Sequence, residues 1–177
     1  MTFDEYKQLR IYSWYDGIYL AILWTASFAC LIGTSSYPAF SFGFIFIALL
    51  TPFFVGRQLK KYRNEGLDGF ISFPRALSYC LRVFFNAAFL FALIQFLYMQ
   101  YLDHGRLFSM LTTTLMSADT TELMKQMNMN IDEMRTAFES ITPLQFSITY
   151  FIENLIIGAF LSLPIAFLTK KEPSRQL

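Results

Sequence analysis

Four apolar stretches, each long enough to cross a lipid bilayer as a helix, constrain this chain more than any other feature. They run from Gly17 to Gly33, Pro38 to Gly56, Pro74 to Leu102 and Pro143 to Thr169. A helix rises about 1.5 Å per residue, so a hydrocarbon core of about 30 Å takes roughly twenty residues. Backbone N–H and C=O groups find no partner in lipid, so each stretch must satisfy its own hydrogen bonds. None alternates polar and apolar residues as a barrel strand does. The expectation is an all-α, integral membrane four-helix bundle. Its transmembrane helices are expected at about 14–35, 37–58, 74–102 and 143–169, with an extracytoplasmic helical connection, 105–141, between the third and fourth.

Composition agrees. Of 177 residues 55% are hydrophobic and only 15% charged, against about 25% charged in a soluble domain. The net charge of +1 offers no basic field for nucleic acid, which is not expected as a partner. Cys30 and Cys80 lie inside apolar stretches and read as small core residues. Asp4, Glu5 and Asp16 interrupt the start, so the N-terminus does not read as a cleavable signal. Ser27-Phe28-Ala29-Cys30 is a poor lipoprotein box.

The charges assign a sidedness. Of the 14 Lys and Arg residues, 11 fall at the two ends and in or beside the second connection: Lys7, Arg10, Arg57, Lys60, Lys61, Arg63, Arg75, Lys170, Lys171, Arg175 and, just inside the third span, Arg82. The long third connection holds Arg106, Lys125 and Arg135, and the short first one, Thr34 to Tyr37, holds none. Positive residues stay cytoplasmic during insertion. Both termini are therefore expected inside, and 105–141 outside. Tyr12, Trp14 and Tyr15 before the first span, and Tyr98 and Tyr101 at the end of the third, suit the interface. Pro38, Pro74 and Pro143 suit first-turn positions.

Small residues let helices approach where lipid supplies no hydrophobic drive between them. Gly17, Ala21, Thr25, Ala29 and Gly33 recur every four residues on the first span, and Gly158, Ser162 and Ala166 on the fourth. These two stripes are expected to face other helices and the Phe-rich sides to face lipid. Pro52 and Pro164 are read as structural kinks.

In the outer connection, Asp119 with Glu122 and Asn130 with Glu133 read as capped helix starts, and Asn128 as a helix end. Met124, Met127, Ile131, Met134 and Phe138 step by three and four, an apolar helical face. Thioether clusters can bind Cu(I). With no companion His or Cys, these Met residues read as filling of that face. His104 has no second ligand nearby in sequence. No metal, cofactor or catalytic motif is expected.

Five polar residues sit inside the spans, where they cost free energy: Arg82, Asn86, Gln95, Glu153 and Asn154. Arg82 is close enough to its helix end to snorkel. Glu153 and Gln95 reach similar depths, so a protonated Glu153 is expected to hydrogen-bond Gln95 across the third and fourth helices. The alternative is a proton or cation site at the same residues.

The chain resembles the bacterial membrane family known as domain of unknown function 4199, found chiefly in Bacteroidota. The likeness spans nearly the whole chain. It is carried by Leu59-Lys60-Lys61-Tyr62-Arg63, Gly69-Phe70-Ile71-Ser72-Phe73, Ala76-Leu77, Asn128-Met129-Asn130 with Ile131 and Phe138, and Gly158 to Lys171. The family often has a double Gly where this chain has Asp68-Gly69, and a Gly at Cys80. The resemblance implies a four-helix protein of the bacterial inner membrane and assigns no activity.

Three roles are weighed. A non-enzymatic structural or partner-binding protein, contacting lipid and a membrane protein or further copies of itself, comes first. A small transporter or channel subunit using Glu153 and Gln95 is second. An intramembrane enzyme is third, for want of any catalytic motif.

Overall fold

A computed structural model describes residues 3–115, 117, 122, 130, 133, 136 and 140–171, with backbone only at 111, 114 and 115. Five helices are described: α1 (Phe3–Gly33), α2 (Phe40–Gly66), α3 (Phe73–Tyr101), α4 (Arg106–Leu115) and α5 (Pro143–Thr169). Among the described residues there is no strand, only an antiparallel bridge between Ile71 and Lys171. The fold is an all-α helical bundle. α1, α2, α3 and α5 are each long and apolar enough to cross a membrane. The Asp119 cap, Asn128 and the Met124, Met127, Ile131, Met134 and Phe138 face lie outside the described residues.

At their polar ends α1 and α2 outrun the hydropathy reading, while α1 closes at Gly33 and α2 opens at Phe40, inside the expected bounds. α1 starts at Phe3, eleven residues before its expected span, and α2 runs on to Gly66. Hydropathy marks where lipid begins; the helical hydrogen-bond ladder continues beyond it. At 31 residues α1 is about 46 Å long. Pro38, expected in the first turn of α2, lies instead in the α1–α2 turn, where the N–H groups of Ser36 and Tyr37 both bond the Gly33 carbonyl at 3.0 Å.

The chain divides into two compact units, residues 1–92 with 150–177, and residues 93–149. In the first, α1 and α2 form an antiparallel hairpin tied by polar contacts. Trp24 Nε1 donates to Thr51 Oγ1 at 3.0 Å, and Ser27 Oγ to the Phe44 carbonyl at 3.1 Å. Each such bond between helices in a membrane contributes about 0.6 to 2 kcal/mol. Trp24 meets Phe91 edge-on, with ring centroids 5.8 Å apart, so α3 closes over the hairpin.

Close approach is set by two glycines. A Cβ on Gly17 would stand 2.6 Å from Asn86 Cβ of α3, and one on Gly158 of α5 2.7 Å from Phe84 Cβ. Gly158, Ser162 and Ala166 are all buried. The α1 stripe does not hold its course. Gly17 and Ala21 are buried, Thr25 and Gly33 half-buried, and Ala29 exposed. Steps of four advance about 400° around a helix, so the stripe drifts about 40° per step. The face that packs is Ser13, Gly17, Leu20, Trp24 and Ser27.

At the common end of α2, α3 and α5, Arg63 Nη1 bonds the Thr169 carbonyl at 2.9 Å, and Ile71 and Lys171 exchange two backbone bonds of 2.9 and 3.0 Å. The α2–α3 turn carries Asp68 at φ 50° and Gly69 at φ 85°. Outside the bundle, large apolar side chains are exposed along each long helix: Phe42, Phe46 and Phe53 on α2, Phe85 and Phe89 on α3, Phe160 and Phe167 on α5. A soluble fold does not expose so many.

The second unit has its own order. Asp103 is buried and caps α4, both carboxylate oxygens accepting the Leu107 N–H at 3.1 Å. His104 and Gly105, both with positive φ, turn the chain into that cap. Phe108 meets Phe146 edge-on at 5.8 Å. α5 opens with a reciprocal cap. The Gln145 N–H donates to Thr142 Oγ1 at 3.3 Å, and the Thr142 N–H to Gln145 Oε1 at 2.9 Å. Asn130 Oδ1 stands 3.5 Å from the Glu133 N–H, the geometry of its expected cap.

Candidate functional site

Three helices each bring a pair of side chains one turn apart to the same place: Tyr12 and Asp16 on α1, Gln58 and Tyr62 on α2, Arg75 and Tyr79 on α3. Spacing of four keeps each pair on one face. Asp16, Tyr62 and Tyr79 are buried. The Tyr79 hydroxyl donates to Asp16 Oδ2, and Gln58 Nε2 to Asp16 Oδ1 at 2.7 Å. Both oxygens of the one carboxylate buried in this part of the bundle are thus engaged by donors from two other helices.

An aromatic column continues from this bond toward the helix ends. Tyr79 stacks on Tyr62 with centroids 5.0 Å apart and planes 7° from parallel. Tyr12 lies 5.0 Å from Tyr62 at a 45° tilt. Arg75 closes the column. Its Nη2 donates to the Tyr62 hydroxyl at 3.4 Å, and its Nη1 pairs with Glu5 at 3.2 Å. Arg75 Nε is buried with no partner among the described residues. The arrangement locks α1, α2 and α3 into one rotational setting. Turning any one of them breaks a charged or aromatic contact.

The polar residues singled out from sequence are not brought together. Arg82 donates to the Tyr6 hydroxyl at 2.6 Å and lies over its ring at 4.8 Å, an interfacial cation–π contact. Asn86 Nδ2 bonds the Ser13 carbonyl at 3.2 Å. Asn154 Nδ2 returns to the Tyr150 carbonyl of its own helix at 2.8 Å. Gln95 and Glu153 belong to different compact units. Gln95 is fully buried, and its amide nitrogen and oxygen have no partner among the described residues. Glu153 lies on an exposed face of α5.

Sequence reading missed the Asp16 cluster because Asp16 sits just before the first apolar stretch and counts there as a charge outside the membrane. The available signal was the repeated spacing of four, one polar–aromatic pair near the basic end of each of three helices. Among the described residues no group of three or more His, Cys, Asp or Glu side chains is placed to hold a metal ion. Cys30 and Cys80 are free thiols.

No curated protein and no solved structure matches this chain. A family model does, over residues 15–171, a range that begins beside Asp16 and takes in Gln58, Tyr62, Arg75 and Tyr79. With its four membrane-length helices and nearly its whole sequence matched, the chain belongs to the family described as protein of unknown function (DUF4199).

Proposed function

We propose that the chain is a multi-pass protein of the bacterial inner membrane, both termini cytoplasmic, serving as a non-enzymatic structural or partner-binding component. The observation that carries this reading is the placement of Glu153. It stands on the outer flank of α5 among Ile152, Ile156, Ile157 and Phe160, each about half exposed or more. A carboxyl facing lipid near the bilayer centre costs about 3 kcal/mol. A polar side chain on a neighbouring transmembrane helix recovers about 0.6 to 2 kcal/mol of that. The flank is therefore assigned to a helix contact with a membrane partner or another copy. A photo-crosslinking residue at Ile157, used in native membranes, is expected to give adducts of defined mass. Glu153→Leu is expected to reduce them several-fold. No adduct, or adducts indifferent to Glu153→Leu, defeats the reading.

One observation favours a second reading, a small transporter or channel subunit. Gln95 is enclosed with neither amide atom partnered among the described residues, and a buried polar atom without a partner costs about 1 to 3 kcal/mol. A polar path would recover that cost by hydrating the amide. If purified protein in liposomes carries an ion or proton flux, Gln95→Leu and Glu153→Gln should each lower it. A flux unchanged in both variants ends this reading.

A further inference from the structure

The outer surface of α1 near the basic end of the bundle is grooved. A cavity of about 540 Å³ opens there, lined by Arg10, Ile11, Trp14 and Tyr15 of α1 and by Asn86 of α3. The α1 residues are two adjacent pairs one turn apart, so they share one face. Asn86 is fixed by its bond to the Ser13 carbonyl. The close approach of Gly17 to Asn86 draws α1 and α3 together at the inner end. The walls are accessible: Ile11 and Trp14 are 45% exposed and Tyr15 59%. Arg10 is exposed and belongs to no described ion pair, whereas Arg75 is neutralised by Glu5.

The order of chemistry along α1 has a direction. Lys7 and Arg10 come first, both exposed. Trp14 and Tyr15 follow, one turn further in. Tyr19 and Ile22, also exposed, continue the same side. Cation, amphipathic ring, then apolar strip is the polarity of one phospholipid standing along the bilayer normal. Phosphate sits beside a guanidinium, the glycerol region beside interfacial rings, and an acyl chain beside aliphatic surface. A free phosphate would use Arg10 alone and leave the aromatic and apolar walls unfilled.

The geometry points to a binding site for a single anionic phospholipid in this α1–α3 groove, its headgroup held by Arg10. The site rests on the membrane reading above. The chain has two tryptophans, and Trp24 is buried. Trp24→Phe therefore makes Trp14 the sole reporter. The full-length variant, reconstituted in phosphatidylcholine vesicles, is titrated with brominated phosphatidylglycerol or brominated phosphatidylcholine at equal mole fractions. Trp14 quenching is expected to show about a fivefold preference for the anionic lipid, the scale one surface cation supplies. Arg10→Gln should remove the preference, and millimolar inorganic phosphate should not reverse it. Native mass spectrometry of otherwise wild-type protein and Arg10→Gln, released from mixed vesicles, checks the result without altering Trp24. The anionic lipid adduct should fall by a similar factor. Equal quenching by the two headgroups, a preference that survives Arg10→Gln, or reversal by phosphate overturns the site and leaves the membrane reading standing. Absence of quenching by either lipid overturns the membrane reading, and the site with it.

Discussion

Two kinds of glycine act differently in this chain, and substitution separates them. At Gly158 the added methyl would meet Phe84 Cβ at 2.7 Å, whereas at Gly56 the nearest atom is 3.9 Å away. Alanine gains about 1 kcal/mol over glycine in a helix interior, but overpacking costs about 1–3 kcal/mol. Gly158→Ala should therefore lower the thermal midpoint in detergent, and Gly56→Ala should hold or raise it. A Gly158→Ala protein as stable as its parent would show that α3 and α5 are not packed at this contact. Gly69 is different, having open space around it and φ at 85°. There the cost of Gly69→Ala is torsional, about 1–2 kcal/mol. Its neighbour Asp68 also has positive φ, a conformation aspartate tolerates and glycine adopts freely. Asp68→Gly should thus be neutral or stabilising by up to about 1 kcal/mol in an unfolding titration. The turn was legible from Gly66, Gly69 and Pro74; the Gly158 contact was legible only as a small residue on a helix, with its partner Phe84 unspecified.

Among the helices, α1 extends beyond the span read from hydropathy, and its buried face departs from the stripe of four. Each difference has its own source. Hydropathy responds to lipid contact, so Phe3 to Tyr12, charged on one side, fell outside the span although the backbone stays helical. A strict period of four diverges from the true helical period, so Ala29 left the face that Gly17 began. The cluster on α1, α2 and α3 gives the sharpest test of how these elements are set. Tyr79→Phe removes one donor to Asp16, and loss of a hydrogen bond to a buried polar group costs about 1–3 kcal/mol. Asp16→Asn changes the same contact from the other side. A double-mutant cycle between them should return a coupling of about 1 kcal/mol or more, read from unfolding in mild detergent. Additive effects would mean that the two side chains do not share a bond. At α5, Thr142→Ala removes the Oγ1 that accepts the Gln145 N–H, an N-cap loss of about 1 kcal/mol.

For the molecule as a whole, the testable quantity is the side of the membrane on which each connection lies. Arg57, Lys60, Lys61, Arg63, Arg75, Lys170 and Lys171 belong to helix ends joined by the Arg63–Thr169 bond and the Ile71–Lys171 bridge. They are therefore expected to lie on one side together. In a cysteine-free background, a cysteine at His104 should react with an impermeant maleimide in spheroplasts. One at Gly69 should react only after lysis. The reverse pattern would refute the charge-based orientation. The amino-acid sequence alone determined the four long helices, because apolar runs of that length must saturate their own backbone in lipid. It also led to the charge-based orientation that the maleimide experiment tests, because helices alternate direction and the basic residues sort with them. Only the tertiary structure decided that Asp16 meets Tyr79 and Gln58, that Gln95 is enclosed without a partner among the described residues, and that Glu153 is exposed. Those outcomes depend on how far each helix is rotated about its axis. Rotation is settled by side-chain packing among several helices at once, which no single period along one chain segment encodes.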